Sequence, residues 1–242
     1  MRRFHLMLCA AVIMAAMFVL IDRESSNDTK IISKVPTTQK VVALTIDDGP
    51  HTKVTPEILA ILKDKNVKAT FFVLGKNVEN NPRIFAQEIA DGHEVGVHTY
   101  SHSSLPKLSD KKIEEEFEKA EKVILPITAM PTLFRPPGGA CNERVIRIAR
   151  ERGYQVVLWS IDTRDWECPP EKRIIDEVYK EVKPGSIILM HDGQYPIPTP
   201  RVLGTIIDGL RERGYTFVTV SELLQYNEVG HTFRPFSSPF KN

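Results

Sequence analysis

From residue 40 onward the chain alternates two kinds of segment. Short apolar runs rich in β-branched and aromatic residues, at 41–46, 69–74, 94–97, 132–135, 155–160, 186–190 and 215–218, have the length and composition of strands. The longer stretches between them carry apolar residues every three or four positions and read as helices. Thr55 and Pro56 open the first as cap and first residue, with Ile58, Leu59, Ile61 and Leu62 on one face. Residues 82–90 and 170–182 follow the same pattern, and Asn142 caps a further helix. Ser109 caps a helix whose stripe is Ile113, Phe117, Ala120 and Ile124; the flanking Glu114, Glu115, Glu116 and Glu118 read as its solvated face. Thr199-Pro200 opens a helix with Val202, Ile206, Ile207 and Leu210 inward, and Ser221 caps a short last one.

Seven strands, each followed by a connection long enough for a right-handed crossover, imply a parallel sheet. Continuous apolar strands are buried on both faces, which places the chain in the α/β class. An open doubly wound sheet and a closed barrel both satisfy the pattern. Packing seven or eight repeats into about 190 residues favours an irregular (β/α) barrel of about seven parallel strands.

The ends read differently. Arg2 and Arg3 precede an apolar stretch from Leu6 to Ile21. As a helix, residues 4–21 span about 27 Å, just under a bilayer core. Residues 1–22 are therefore a signal peptide or a signal anchor. The bulky boundary Phe18-Val19-Leu20-Ile21 favours the uncleaved anchor, with the rest of the chain outside the membrane. Residues 23–39 read as a polar linker, 40–226 as one domain, and 227–242 as a loosely packed or disordered tail. Hydrophobic residues at 42% and charged residues at 26% exclude a disordered, collagen-like or multi-span chain. A net charge of +1 removes the case for a non-specific nucleic-acid binder, and three cysteines are too few for a disulfide scaffold.

Polar residues gather where the strand runs stop: Asp47-Asp48-Gly49-Pro50, His98 to His102, Arg135-Pro136-Pro137-Gly138, Asp162 to Trp166, and His191-Asp192. In a β/α barrel these ends share one face, where chemistry sits. His98 and His102 are four apart, a spacing that turns two imidazoles toward one place. Alone the pair is a weak signal, but a carboxylate from another strand end completes an open two-histidine, one-carboxylate metal site. Such ligands suit Zn²⁺, with Co²⁺ or Ni²⁺ also able to occupy them. Asp47 and Asp48 are neighbours on extended backbone and so point to opposite sides. They are not a glycosidase pair, whose carboxyl groups stand ~5–9 Å apart across a sugar. They divide the labour instead, one binding metal and one taking a proton from water. A turn-capping role accounts for one aspartate but less readily for both. His93, Asp192 and Trp159 read as structural.

The segments TIDDGP (45–50), HTYSH (98–102), RPPGG (135–139), DTRDW (162–166) and LMH (189–191), in this order, resemble the NodB-homology polysaccharide deacetylases, carbohydrate esterase family 4. The resemblance covers 40–226 and implies metal-dependent removal of acetyl groups from an N-acetylglucosamine polymer. Residue by residue, it implies Asp48, His98 and His102 as ligands of one divalent metal, Zn²⁺ first. It implies Asp47 as general base, Arg135 as its partner, His191 as general acid and Asp165 as the partner of His191. Tyr100, Trp166, Leu189 and Pro136 fall to the substrate, with a backbone N–H near Tyr100 for the oxyanion. The anchor tilts the substrate toward peptidoglycan rather than chitin. An O-acetyl esterase of the acetyl-xylan type would use the same residues, whereas an inactive carbohydrate-binding homologue would lack Asp47 or His191, both present here. A monomer is expected. Cys141 and Cys168 each follow a strand-end motif on consecutive strands, so a disulfide and two free thiols stand as equal alternatives.

Overall fold

The computed structural model describes residues 31–228; the segment read as signal peptide or anchor, and the tail beyond 228, lie outside the described residues. Among the described residues no helix is long and apolar enough to cross a membrane. The strands are β1 (Val41–Asp47), β2 (Thr70–Val73), β3 (Glu94–Val97), β4 (Leu133–Phe134), β5 (Gln155–Val156), β6 (Ile161–Asp162), β7 (Ile187–His191) and β8 (Thr216–Val218). Helices α1 (Val54–Asp64), α2 (Gly75–Asn80), α3 (Pro82–Ala90), α4 (Asp110–Ile124), α5 (Glu143–Glu151), α6 (Glu171–Glu181), α7 (Thr199–Glu212) and α8 (Val220–Leu224) lie between and after them.

All strand pairs are parallel, in the order β5-β4-β3-β2-β1-β7-β6. β8 pairs with Val41–Ala43 of β1, while β2 pairs further along, at Thr45 to Asp47. This is the irregular (β/α) barrel that the repeat predicts. β1, buried along its whole length, is its centre. The apolar stripe of α4 is buried as expected at Ile113, Phe117, Ala120 and Ile124.

The run at 155–160 is not one strand. It holds only the two-residue ladder β5, the next ladder being β6 just beyond it; the two lie at opposite ends of the strand order, and 157–160 spans the seam between them. The seam is closed by residues read as linker. Ile32 donates to Val156 O at 2.9 Å and accepts from Leu158 N at 2.7 Å, Lys34 bridges Ser186, and Val35 is buried. The linker therefore ends before Ile32, because the barrel needs this segment to satisfy exposed backbone. The far end is also fixed: Glu228 Oε1 accepts from Thr37 Oγ1 and Thr38 N, each at 3.0 Å, and Glu228 N donates to Pro36 O.

Three helix starts differ from expectation. Lys53 and Pro198 precede α1 and α7, so Thr55 and Thr199 sit inside the first turn rather than at the cap. Their hydroxyls serve buried carboxylates instead, Asp192 and Asp165 respectively. Thr219, not Ser221, caps α8, in a reciprocal box with Glu222.

Glu88 of α3 is fully buried, and neither carboxyl oxygen has a hydrogen-bond partner among the described residues. Burial, aided by the charge of Asp192, holds its carboxyl well above the usual carboxylate range. The unfolded chain gives up this proton near pH ~4.3 while the folded chain keeps it. Stability is therefore whole below the unfolded value and falls as pH rises toward the folded one, by up to about 1.4 kcal/mol per pH unit. Glu88→Gln keeps the shape and removes that penalty. Thermal unfolding should show a larger gain in Tm at pH 8 than at pH 5; equal gains at both would mean that the Glu88 carboxyl costs the fold nothing.

Candidate active site

The C-terminal ends of β1, β3, β4, β6 and β7 bring the five polar clusters to one face of the barrel. Asp47 closes β1 in register with His191 of β7. Asp48 then leaves the strand with φ 77°, in the left-handed region that non-glycine residues avoid. This turn overrides the alternation expected of extended neighbours. Asp47 Oδ2 and Asp48 Oδ1 both approach His98 Nε2, at 3.8 and 3.4 Å. His102 Nε2 lies 3.4 Å from the same Asp48 oxygen. Two glycines permit the packing: a Cβ at 193 would collide with that of Asp48, and one at 49 with the Asp192 carboxylate.

The ligand atoms of Asp48, His98 and His102 lie within 4.8 Å of one another. His98 Nδ1 stands 2.7 Å from the carbonyl of Arg135, which only accepts, so Nδ1 carries the proton and Nε2 presents its lone pair. Burial, the largest influence, lowers the His98 pKa to about 4 and keeps the ring neutral at physiological pH. Asp48 Oδ1 is buried without a hydrogen bond. The lone pairs of His98 Nε2 and Asp48 Oδ1 thus converge on one point with His102 Nε2 beside them, an arrangement that fits a divalent cation.

The loop carrying both histidines is strained and firmly held. Thr99 and His102 have φ of 68° and 62°. His102 N donates to Thr99 Oγ1 at 3.1 Å, while Gly75 and Lys76 of α2 donate to the Thr99 and Tyr100 carbonyls. Glu116, read as part of a solvated face, reaches back from α4 and accepts from Tyr100 N at 3.1 Å and Ser101 N at 2.9 Å. The Tyr100 and Ser101 amides thereby donate to one carboxylate, which fixes the loop between the two histidines. The Tyr100 hydroxyl donates to Glu79.

Arg135 is fully buried. It donates to Asp47 Oδ1 at 2.6 Å, Thr45 Oγ1 at 2.8 Å, Val157 O at 3.3 Å and Leu158 O at 3.0 Å, and lies 4.1 Å over the Phe72 ring. It therefore fixes the Asp47 carboxylate and the seam at once. Burial raises the Asp47 pKa, opposed by Arg135 and by His191. His191 Nδ1 donates to Asp165 Oδ1 at 2.7 Å, and its backbone N–H to Oδ2 at 2.8 Å. Burial would push the His191 pKa down; the hydrogen bond to Asp165 and the charges of Asp165, Asp47 and Asp48 outweigh it and raise the value to about 9.

Of the remaining expected residues, Trp166 is 47% exposed at the rim. Leu189 is buried in β7 on the same side as His191, two residues on. Pro136 is buried, and its carbonyl accepts from Gly139 N, which makes it a support of the turn rather than an open contact surface. His93 is the structural acceptor expected of it, taking the Ala69 amide at 3.2 Å. Cys141 and Cys168 are unbridged. The argument for a bridge placed them on consecutive strands, but Cys141 follows β4 and Cys168 follows β6, across the seam. Sequence reasoning missed the threonine–carboxylate pairs Thr199–Asp165 and Thr55–Asp192. The repeated Thr-Pro helix start was their only trace in the sequence.

The polysaccharide deacetylase family model matches residues 34–157. A peptidoglycan-N-acetylglucosamine deacetylase of Bacillus cereus is 40% identical over 211 residues, 86% of this chain and 99% of the relative. The peptidoglycan-N-acetylglucosamine deacetylase PgdA of Listeria monocytogenes is 41% identical over 77% of this chain, which spans only 39% of that relative's length. Among solved structures, the Bc1960 peptidoglycan N-acetylglucosamine deacetylase superposes with a TM-score of 0.78 at 37% identity, covering 81% of this chain and 92% of that one.

Proposed function

Because this chain belongs to the NodB-homology polysaccharide deacetylases of carbohydrate esterase family 4, we propose that it hydrolyses N-acetyl groups from N-acetylglucosamine in peptidoglycan, releasing acetate and leaving a free amine. The observation that carries this reading is the meeting of Asp48, His98 and His102 beside two buried acid–base pairs, Asp47–Arg135 and His191–Asp165. Asp48, His98 and His102 hold a divalent cation; two nitrogens and one oxygen suit Zn²⁺. When bound, that cation supplies Lewis-acid polarisation of the amide carbonyl. Asp47, held by Arg135, takes the proton of the attacking water. His191, held by Asp165, gives a proton to the departing nitrogen. Trp166 offers a platform for the sugar's C–H face. The action is extracytoplasmic, on the cell wall, and the apolar segment behind Arg2 and Arg3 is the proposed anchor. Acetate release from peptidoglycan, chitin oligomers and acetyl-xylan tests the reading; release from acetyl-xylan alone would overturn it.

The His191 pair gives a pH prediction. The acid form of His191 is present below about 9 and is lost above it, so kcat/KM should fall on the alkaline side near that value. Asp165→Asn removes the main support for the imidazolium, and the alkaline limb should move to lower pH. A limb that stays put in a folded Asp165→Asn variant would detach it from His191.

A further inference from the structure

Asp165 is fully buried, and four donors meet on its carboxylate. Oδ1 accepts from His191 Nδ1 at 2.7 Å and from Trp166 N at 3.0 Å. Oδ2 accepts from His191 N at 2.8 Å and from the Thr199 hydroxyl. Three of these donors come from the turn that carries Asp165 and from His191 itself. The fourth comes from α7, an element that carries none of the site residues assigned above. Thr199 is fully buried at the first position of that helix, and Pro198 stands before it at the cap. Valine has the same branched shape, so packing alone does not call for a hydroxyl there.

The hydroxyl matters most at one moment. His191 Nδ1 is bonded to Asp165, which leaves Nε2 as the nitrogen that delivers a proton. In the proposed reaction Nε2 gives its proton to the departing nitrogen as the C–N bond breaks, and the electron pair of that bond stays on nitrogen. Before the transfer, the imidazolium covers the charge of the Asp165 carboxylate. After it the imidazole is neutral, and a full negative charge stands buried among neutral donors. A hydrogen bond to an ionised acceptor strengthens with the charge that the acceptor carries, so the Thr199 bond tightens as His191 loses its proton. The other charges that act on His191 do not touch Thr199. They are Asp47 and Asp48 at the end of β1, with Arg135 of β4 on Asp47, and Asp192 next in the chain, which takes the Thr55 hydroxyl. Around the Asp165 turn Arg164 pairs with Glu167, and Arg201 of α7 pairs with Glu171.

Resting on the function proposed above, we propose that Thr199 is a positioning residue for the acid step: its hydroxyl fixes the Asp165 carboxylate and takes up the charge uncovered when His191 gives its proton away. The hydroxyl thus favours the neutral imidazole over the ion pair and makes His191 the readier acid. Asp165 and Thr199 act on the His191 proton in opposite directions, the carboxylate holding it and the hydroxyl loosening it.

The test is a titration of the Zn²⁺-loaded protein carrying isotope-labelled histidine. The His191 ring signals are followed by NMR against pH and identified by their loss in His191→Gln. Thr199→Val should raise the His191 midpoint by about 0.5 to 1 pH unit, and Thr199→Ser, which restores the hydroxyl, should return it to the wild-type value. The alkaline limb of kcat/KM should move up with the midpoint, the reverse of the shift expected for Asp165→Asn, while kcat at neutral pH falls about two- to fivefold. A hydroxyl that merely places Asp165 would, when lost, weaken the ion pair and move the midpoint down. A downward move, no move, or a failure of Thr199→Ser to restore the value overturns the assignment. Thr199→Ala carries the same expectation should Thr199→Val not fold. If no polymer yields acetate, the deacetylase reading fails, and the ring titration still decides the role of Thr199.

Discussion

The His98→Ala/His102→Ala double variant will purify without divalent metal and release acetate at the background rate. Its motive is the convergence of three ligand atoms within 4.8 Å, with Asp48 Oδ1 buried and unpartnered. Removing both imidazoles leaves one carboxylate oxygen, which cannot hold a transition-metal ion against solvent. The direct check is metal content by elemental analysis, measured beside wild type after the same purification. His98 is buried, so thermal unfolding with and without chelator accompanies it. Chelator should lower the wild-type Tm and leave that of the double variant where it is. Near-stoichiometric metal in the folded double variant would sink the assignment of all three ligands.

Asp47→Asn should behave in the opposite way with respect to metal. The amide keeps the shape and an oxygen for Arg135 to donate to, and Asp47 approaches the metal site only at 3.8 Å from His98. Metal content should therefore hold while kcat falls by about 10² to 10⁴, the usual worth of a positioned base. Burial, by raising the Asp47 pKa, makes the carboxylate a better proton acceptor than a solvated one. A folded, metal-replete Asp47→Asn variant within tenfold of wild type would pass the role of base to another group.

The barrel and the clusters at its strand ends were legible in the chain, because buried parallel strands print as apolar runs and polar residues must interrupt them to reach the opening. The two-histidine spacing and the acidic pair marked the candidate metal site for the same reason. What escaped was set by backbone and distance. Nothing in DDGP announces that Asp48 turns left-handed and brings both carboxylates to His98. The seam was invisible because Gln155 to Ser160 is as apolar as a strand, while only two residues at each border pair in a ladder. Ile32 and Val35 looked like linker because a few bridging residues carry no periodicity. Glu116 was indistinguishable from its exposed neighbours, since one carboxylate in a run of four gives no sign of reaching the Tyr100 and Ser101 amides.

The clasp between Glu228 and Thr37–Thr38 has a practical consequence for how the enzyme is held. Both partners lie before the first residue of β1 or beside it, whereas Asp47 ends that strand, about 20 Å away at the usual rise per residue. Chain leaving at Glu228 therefore departs from the back of the barrel, at the start of β1. A fusion partner or solid support attached after Glu228 stands behind the catalytic mouth rather than across it, and leaves a long strand free to pass over the front, whereas Ile32 meets the barrel at the seam, beside the Val157 and Leu158 carbonyls that hold Arg135.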